Sequence, residues 1–371
     1  MKNKFFTRQI CACAQIRGQW QEWRIIMNIN GRAVGDGAPA YIIAEMSANH
    51  AGSMERALEL IHVAKDAGAD CVKIQTYTAD TMTIDCHNPY FQIAKGTWEG
   101  ENLYGLYQKA YTPWAWQDKL RDEAAKVGID FLSTPFDRTS VDFLEKLGVH
   151  FYKVASFELV DIPLLEYIAS KNKPIIMSTG MGTLEEIEEA VAAIYGAGNR
   201  QLALMKCSSA YPAKSEEMNL RTICDMKARF DIPVGLSDHS MGAFSATTAV
   251  AMGADIIEKH FCISRAIENP DASFSMEPDE FHDMVQQVRE VEKAMGKVSY
   301  GVSRQEESNA CFRRSLFVVK DIAAGEQLTP DNIRSIRPAY GLKPKHYKEV
   351  LGKTAKRDIV RGTPLSFEDI E

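Results

Sequence analysis

The chain has 371 residues, 45% hydrophobic and 25% charged, enough for one large domain and a smaller one. Its formal charge of −7 excludes the basic surface that general nucleic-acid affinity needs. No apolar stretch reaches the roughly 18–20 residues of a membrane span. Eight cysteines over this length give no disulfide framework, and Cys71, Cys207 and Cys262 fall in or beside predicted strands, so the composition reads as cytoplasmic.

Residues 1–26 are basic and begin like a signal peptide, but their apolar part is too short and interrupted. The expectation is an N-terminal extension over 1–37, with a natural start near Met27 and no catalytic role.

From residue 38 onward, short apolar runs alternate with amphipathic stretches. The runs are YIIAEMSANH, CVKIQTY, DFLSTPFD, FYKVASFE, PIIMSTGM, LALMKCSSAYP, PVGLSDH and DIIEKHF. They predict strands at 40–46, 70–76, 129–134, 150–155, 174–178, 201–206, 233–236 and 255–260. Predicted helices cover 53–67, 138–146, 161–171, 183–197, 216–229, 242–252 and 278–296, with a further one starting after Pro113. Ser53 suits a helix N-cap, and Pro113, Pro163 and Pro278 suit first turns. The fold class is α/β, a (β/α)8 TIM barrel over 38–296. Each run closes with Ser, Thr, Lys, Glu or His, which places chemistry at the C-terminal mouth.

A long insertion at 77–112 carries Tyr77, Tyr90, Phe91, Trp98, Tyr104, Tyr107 and Tyr111. Insertions of this length are usually functional. Its aromatics suit a small core under the loop, stacking on a sugar, or both. Residues 297–310 read as a polar linker. The module 311–371 holds 12 Lys and Arg against 8 Asp and Glu, net +4 beside −11 for the rest. Such charge suits either docking over an anionic-substrate pocket or an ordinary solvated surface.

His239 and His260 end the seventh and eighth predicted barrel strands. Adjacent strands lie about 4.8 Å apart, so the two imidazoles can converge on a divalent transition metal such as Mn²⁺, with positions left open for substrate. Asp238 and Glu258 are expected to orient these histidines. Lys73 and Lys153 end the second and fourth strands, as a Schiff-base nucleophile or as a phosphate anchor. Thr134, Ser156, Ser178, Ser209 and Ser237 ring the same rim and favour the anchor. Lys206 is a further candidate whose direction the alternation leaves open. Glu45 and Glu158 are rim carboxylates suited to general-base work, to a sugar hydroxyl, or to pairing with a lysine. Asn49 and His50 share the loop after Glu45.

IIAEMSANHAGS, KIQTYT, STPFD, YKVASFE, STGM, YPA, GLSDH and EKHF resemble, in order and spacing, the sialic acid synthase family, which joins phosphoenolpyruvate to an N-acetylated aldose. The tail RRSLFVVKDIAAGEQLTPDNIRSIRPAYGLKPK is similar to that family's antifreeze-like (SAF) domain, here 311–371. The resemblance implies a phosphoenolpyruvate site built from Lys73, Thr134, Lys153, Ser156, Ser178, Ser209 and Ser237. It implies Mn²⁺, with Mg²⁺ or Co²⁺ as alternatives, on His239 and His260. The N-acetylated amino sugar would meet Gln75, Glu158, Tyr211 and Asp271. A domain-swapped homodimer would bring Arg337 of the SIRP segment over the partner's barrel. Neither nucleic acid nor a membrane enters this scheme. AEMSANH, TYTADTMTID, NPYFQI and LYGLYQKAYTPWAW look most like the family's pseudaminic acid synthase branch, whose acceptor is 2,4-diacetamido-2,4,6-trideoxy-altrose. Ala51, Ala339 and the ENPD loop depart from the usual pattern. A Schiff-base aldolase and a non-catalytic sugar-binding barrel are the rival readings.

Overall fold

The computed structural model describes residues 27–35 and 37–371; the extension assigned to 1–26 lies outside the described residues. The chain divides into two compact units, with the boundary between Gly296 and Lys297.

In the first unit, a hairpin of β1 (Met27–Ile29) and β2 (Arg32–Val34) precedes eight parallel strands. These are β3 (Tyr41–Glu45), β4 (Cys71–Thr76), β5 (Asp130–Pro135), β6 (Tyr152–Val154), β7 (Ile175–Ser178), β8 (Leu202–Cys207), β9 (Val234–Asp238) and β10 (Ile256–His260). Their order is β5-β4-β3-β10-β9-β8-β7-β6, and β5 and β6 lie beside each other, so the sheet wraps into a nearly closed barrel. Every predicted barrel strand is present.

Helices form between the strands because caps and apolar stripes agree. Ser53 Oγ accepts from Arg56 N at 3.2 Å, and the helix Met54–Asp66 buries Ala57, Leu60, Ile61 and Ala64. Asp137 and Thr183 head capping boxes, and Gly148 ends the helix Arg138–Leu147 in the left-handed region. The helix expected over 216–229 begins only at Thr222. Asn219 stands at φ 47°, a left-handed turn that no helix can carry through.

Alternation along the strands separates two cores. Ile42, Ala44, Val72, Ile74, Leu204, Leu236 and Ile257 face outward under the helices. Tyr41, Ile43, Cys71, Leu132, Phe151, Ile176, Ala203, Met205 and Ile256 face inward and pack with Met27, Ile29 and Val34. The hairpin therefore closes the floor of the barrel, although the sequence reading left it in the segment ending at 37; strands of three residues show no readable period. Tyr41 Oη and Asn30 Nδ2 donate to the two oxygens of Asp130, at 2.5 and 2.6 Å, and tie hairpin to barrel. At Gly235 a Cβ would stand 2.4 Å from the Ile256 carbonyl oxygen, so β9 needs glycine to approach β10.

The second unit is built on β11 (Ser315–Val318) and β12 (Ile333–Ile336), paired antiparallel. Its own core holds Leu316, Val318, Ile322, Leu328, Ile333, Val350, Ile359 and Leu365. Among the described residues, no helix is long and apolar enough to cross a membrane.

Candidate active site

With the barrel floor apolar, the same inward positions turn polar toward the C-terminal ends of the strands. Lys73 is buried, ion-paired to Glu45 of β3, and 2.7 Å from Glu258 Oε1 of β10. Burial lowers its pKa to about 8, against the pull of Glu258. Lys153 Nζ donates to Ser178 Oγ at 2.6 Å and lies 3.9 Å from Glu258 Oε2. Ser237 Oγ donates to Glu258 Oε1 at 3.4 Å. Glu258 thus stands between the two lysines. It does not orient a histidine, because two residues before His260 it shares the inward face. That period-two relation was present in the sequence.

Hydroxyl groups line this charged centre. Thr134, the register partner of Gln75, is buried with Oγ1 unpaired. Ser156 Oγ accepts from Gly180 N at 3.1 Å. A Cβ on Gly180 would fall 2.3 Å from Ser209 Oγ and 2.6 Å from Ser156 Oγ, so glycine keeps the space between the two serines open. Sequence reasoning passed over Gly180, although it sits inside the STGM segment. Two lysines with surrounding hydroxyls can hold a small dianion, since charge-assisted hydrogen bonds contribute roughly 1.5–3 kcal/mol each.

His239 and His260 face each other with ring centroids 5.4 Å apart. The Ser208 carbonyl, 3.0 Å from His239 Nδ1, can only accept, so that nitrogen carries a proton and Nε2 is the one turned to other partners. His260 Nδ1 is buried without a hydrogen-bond partner, 4.0 Å from Asp271 Oδ2. Burial, and then neighbouring positive charge, hold His260 neutral. A neutral imidazole with an orphaned buried nitrogen, facing a second imidazole, fits a divalent metal whose other positions fall to substrate and water. Among the described residues, no group of three His, Cys, Asp or Glu gathers as a fuller ligand set.

Around the histidines is an aromatic wall. The Tyr211 ring lies 4.3 Å from His239, 6.2 Å from His260 and 5.2 Å from Phe274. Trp98 lies 5.4 Å from Tyr211 and 6.4 Å from Phe274. Trp98 Nε1 donates to the Pro270 carbonyl at 3.0 Å, and Thr97 Oγ1 to that of Tyr211. The tip of the 77–112 insertion is therefore tied to two loops of the mouth. Tyr77 packs instead on Tyr107 and Phe136, so the insertion holds a small core and also sends one aromatic to the site. Phe274 went unread because nothing periodic marks its loop.

Gln75 Nε2 donates to Ser47 Oγ at 3.0 Å, and Asp271 Oδ2 accepts from Ala48 N at 3.2 Å, which brings both toward the loop after Glu45. Burial raises Asp271 above the usual carboxylate range. It raises Glu158 to about 7, and Glu158 Oε2 has no partner.

Two other expectations, for Lys206 and Asp238, are not met. Lys206 shares the outward parity of Leu204, and its Nζ donates to the Cys207 carbonyl at 2.8 Å. Asp238 also faces outward and bonds Lys259 rather than an imidazole. Asn49 Nδ2 donates to Ser275 Oγ at 2.9 Å. His50 is buried against Trp116, its pKa lowered to about 4 by burial; its Nδ1 accepts from Gly52 N, leaving Nε2–H toward Thr112 Oγ1 at 3.3 Å. Arg337 is exposed on the second unit.

Comparison with known proteins agrees with this architecture. The NeuB family model matches residues 60–300 and the SAF domain model residues 313–371. The pseudaminic acid synthase of Campylobacter jejuni (serotype O:2) is 44% identical, with 89% of this chain and 96% of that protein covered. The pseudaminic acid synthase of Helicobacter pylori is 42% identical, with 90% and 98% covered. The crystal structure of the N-acetylneuraminic acid synthetase of Leptospira borgpetersenii superposes with a TM-score of 0.70 at 29% identity, covering 78% of this chain and 96% of that one. Barrel, appended SAF domain and these matches together place the chain in the NeuB family.

Proposed function

We propose that this chain is a pseudaminic acid synthase. It condenses phosphoenolpyruvate with 2,4-diacetamido-2,4,6-trideoxy-altrose and water to give pseudaminic acid and phosphate. The observation that carries the reaction class is the cradle of two lysines and hydroxyls beside the paired imidazoles. The acceptor follows from the relatives of 44% and 42% identity, both pseudaminic acid synthases.

Lys73 and Lys153 hold the carboxylate and phosphate of phosphoenolpyruvate, with Thr134, Ser156, Ser178, Ser209 and Ser237 completing the cradle. Glu45 and Glu258 keep Lys73 charged, which suits an anion anchor better than an imine-forming amine. His239 and His260 would hold a divalent metal, Mn²⁺ by this reading, which would supply Lewis-acid polarisation of the acceptor carbonyl. Gln75, Glu158, Tyr211 and Asp271 orient the open-chain sugar. C3 of phosphoenolpyruvate attacks the aldehyde carbon, and the new alkoxide takes up a proton. Water adds at C2, its proton passing through Glu45 to that alkoxide, and the C2 hydroxyl collapses to the ketone as phosphate leaves by C–O cleavage with the hydroxyl proton. The lysines contribute through positioning and charge stabilisation. The enzyme works in the cytoplasm as a homodimer, with Arg337 of one subunit reaching the acceptor's N-acetyl group in the partner's site.

Phosphate release with phosphoenolpyruvate and Mn²⁺ tests this, with the altrose, its legionaminic-type mannose counterpart and N-acetylmannosamine offered separately. Turnover with the altrose, abolished by chelation and restored by Mn²⁺, is expected. Preference for another acceptor would overturn the substrate assignment. Silence with all three would overturn the reaction.

A further inference from the structure

The residue before each of the paired histidines is charged and buried. Asp238 and Lys259 are direct register partners across β9 and β10. Their parity is that of Leu236 and Ile257, so both lie on the outer face of the barrel wall, away from the mouth. Each is 1% exposed, and Lys259 Nζ stands 2.6 Å from Asp238 Oδ2.

The pair does more than neutralise itself. Asp238 Oδ1 accepts from Ser240 N at 2.8 Å, a bond that spans His239. Lys259 Nζ donates to the Ser240 carbonyl at 2.6 Å. Ser245 Oγ, at the start of the helix Phe244–Ala251, donates to Asp238 Oδ2 and is 2.6 Å from Ser240 Oγ. The His239 carbonyl accepts from Ala213 N at 2.9 Å. The residue after His239 is thus held at both its N–H and its C=O, and one of the two holders is the neighbour of His260.

Adhesion between helix and barrel does not require charge here. Removing two ions from water is expensive, and an apolar pair of similar volume often serves stability as well or better. An apolar pair cannot fix the orientation of a peptide group. We propose that Asp238 and Lys259 are positioning residues: a buried clamp that sets the spacing and aim of His239 relative to His260 for a divalent cation. The inference rests on the metal reading of the two histidines.

The test compares wild type with Asp238→Leu, Lys259→Met, the double variant Asp238→Leu/Lys259→Met, and the milder Ser245→Ala. Mn²⁺ affinity is read by titration, the Co²⁺ visible spectrum reports ligand geometry, and thermal melting reports folding. Each single charge variant is expected to melt lower, because it strands a buried charge. The double variant is expected to recover melting yet bind Mn²⁺ about 10–100-fold more weakly, with an altered Co²⁺ spectrum. Ser245→Ala, which removes one hydroxyl, is expected to weaken Mn²⁺ by a few-fold with melting little changed. Wild-type Mn²⁺ affinity in the double variant, or in Ser245→Ala should the double not fold, would overturn the clamp and leave the metal reading intact. Absence of Mn²⁺ binding by the wild type would overturn the metal reading and the clamp with it.

Discussion

Lys73 of β4 reaches past the intervening β3 to bring its Nζ within 2.7 Å of Glu258 Oε1 on β10, while also pairing with Glu45 on β3 itself. Three strands therefore share one buried cation at the centre of the mouth. Burial of this cation sets a pH limit. With its pKa lowered to about 8, Lys73 is cationic below that value and loses its charge above it. The expected kcat/KM for phosphoenolpyruvate is flat below about pH 8 and falls toward higher pH. Lys73→Arg should move that limb upward at reduced rate. The linkage runs the other way for folding: the folded state gives up the proton more readily than the unfolded chain, so between about pH 8 and the usual lysine range this group makes stability rise with pH. A pH profile without a limb near 8 would contradict the assignment.

Gly180→Ala tests the anion cradle without removing any polar group. The added methyl would press on Ser156 Oγ and Ser209 Oγ, both side-chain ends that can turn aside. Folding should survive, while KM for phosphoenolpyruvate rises roughly tenfold or more, equivalent to about 1.4 kcal/mol. Unchanged KM would show that the dianion binds elsewhere.

Trp98→Ala removes a ring from the wall formed with Tyr211 and Phe274 and unties the insertion from Pro270. Aromatic contacts are worth about 0.5–1.5 kcal/mol beyond area. The expected result is a several-fold higher KM for the acceptor, with KM for phosphoenolpyruvate unaffected. Steady-state kinetics with each substrate varied in turn separates the two.

Ile29→Ala probes the floor. Ile29 is 1% exposed among Met27, Val34, Tyr41 and Phe151. Truncating such a side chain costs about 2–5 kcal/mol. Melting of the purified protein should fall clearly, with the substrate KM values unchanged because the mouth is at the other end of the strands. An unshifted transition would mean that the hairpin does not close the barrel.

Strand existence and strand ends were legible from residue order alone. A short apolar run bounded by polar residues has few other ways to bury itself, and the motifs from IIAEMSANH to EKHF carried the family as well. The inward face was legible too, because the side-chain period of a strand is two: Lys73 with Gln75, and Glu258 with His260, follow from parity. Parity read at each strand end would also have turned Lys206 outward, and Asp238 away from the imidazoles. Which inward residues meet is a different matter. Lys73 and Glu258 lie 185 residues apart, and nothing local specifies that barrel closure brings them together. The same holds for Trp98, whose loop is placed by carbonyls of two distant segments, and for Met27–Val34, whose strands are too short to show a period. Local pattern determined the elements and the face each residue occupies. Only the closed sheet decided the partners, because long-range contacts are set by the register and order of strands remote in the chain.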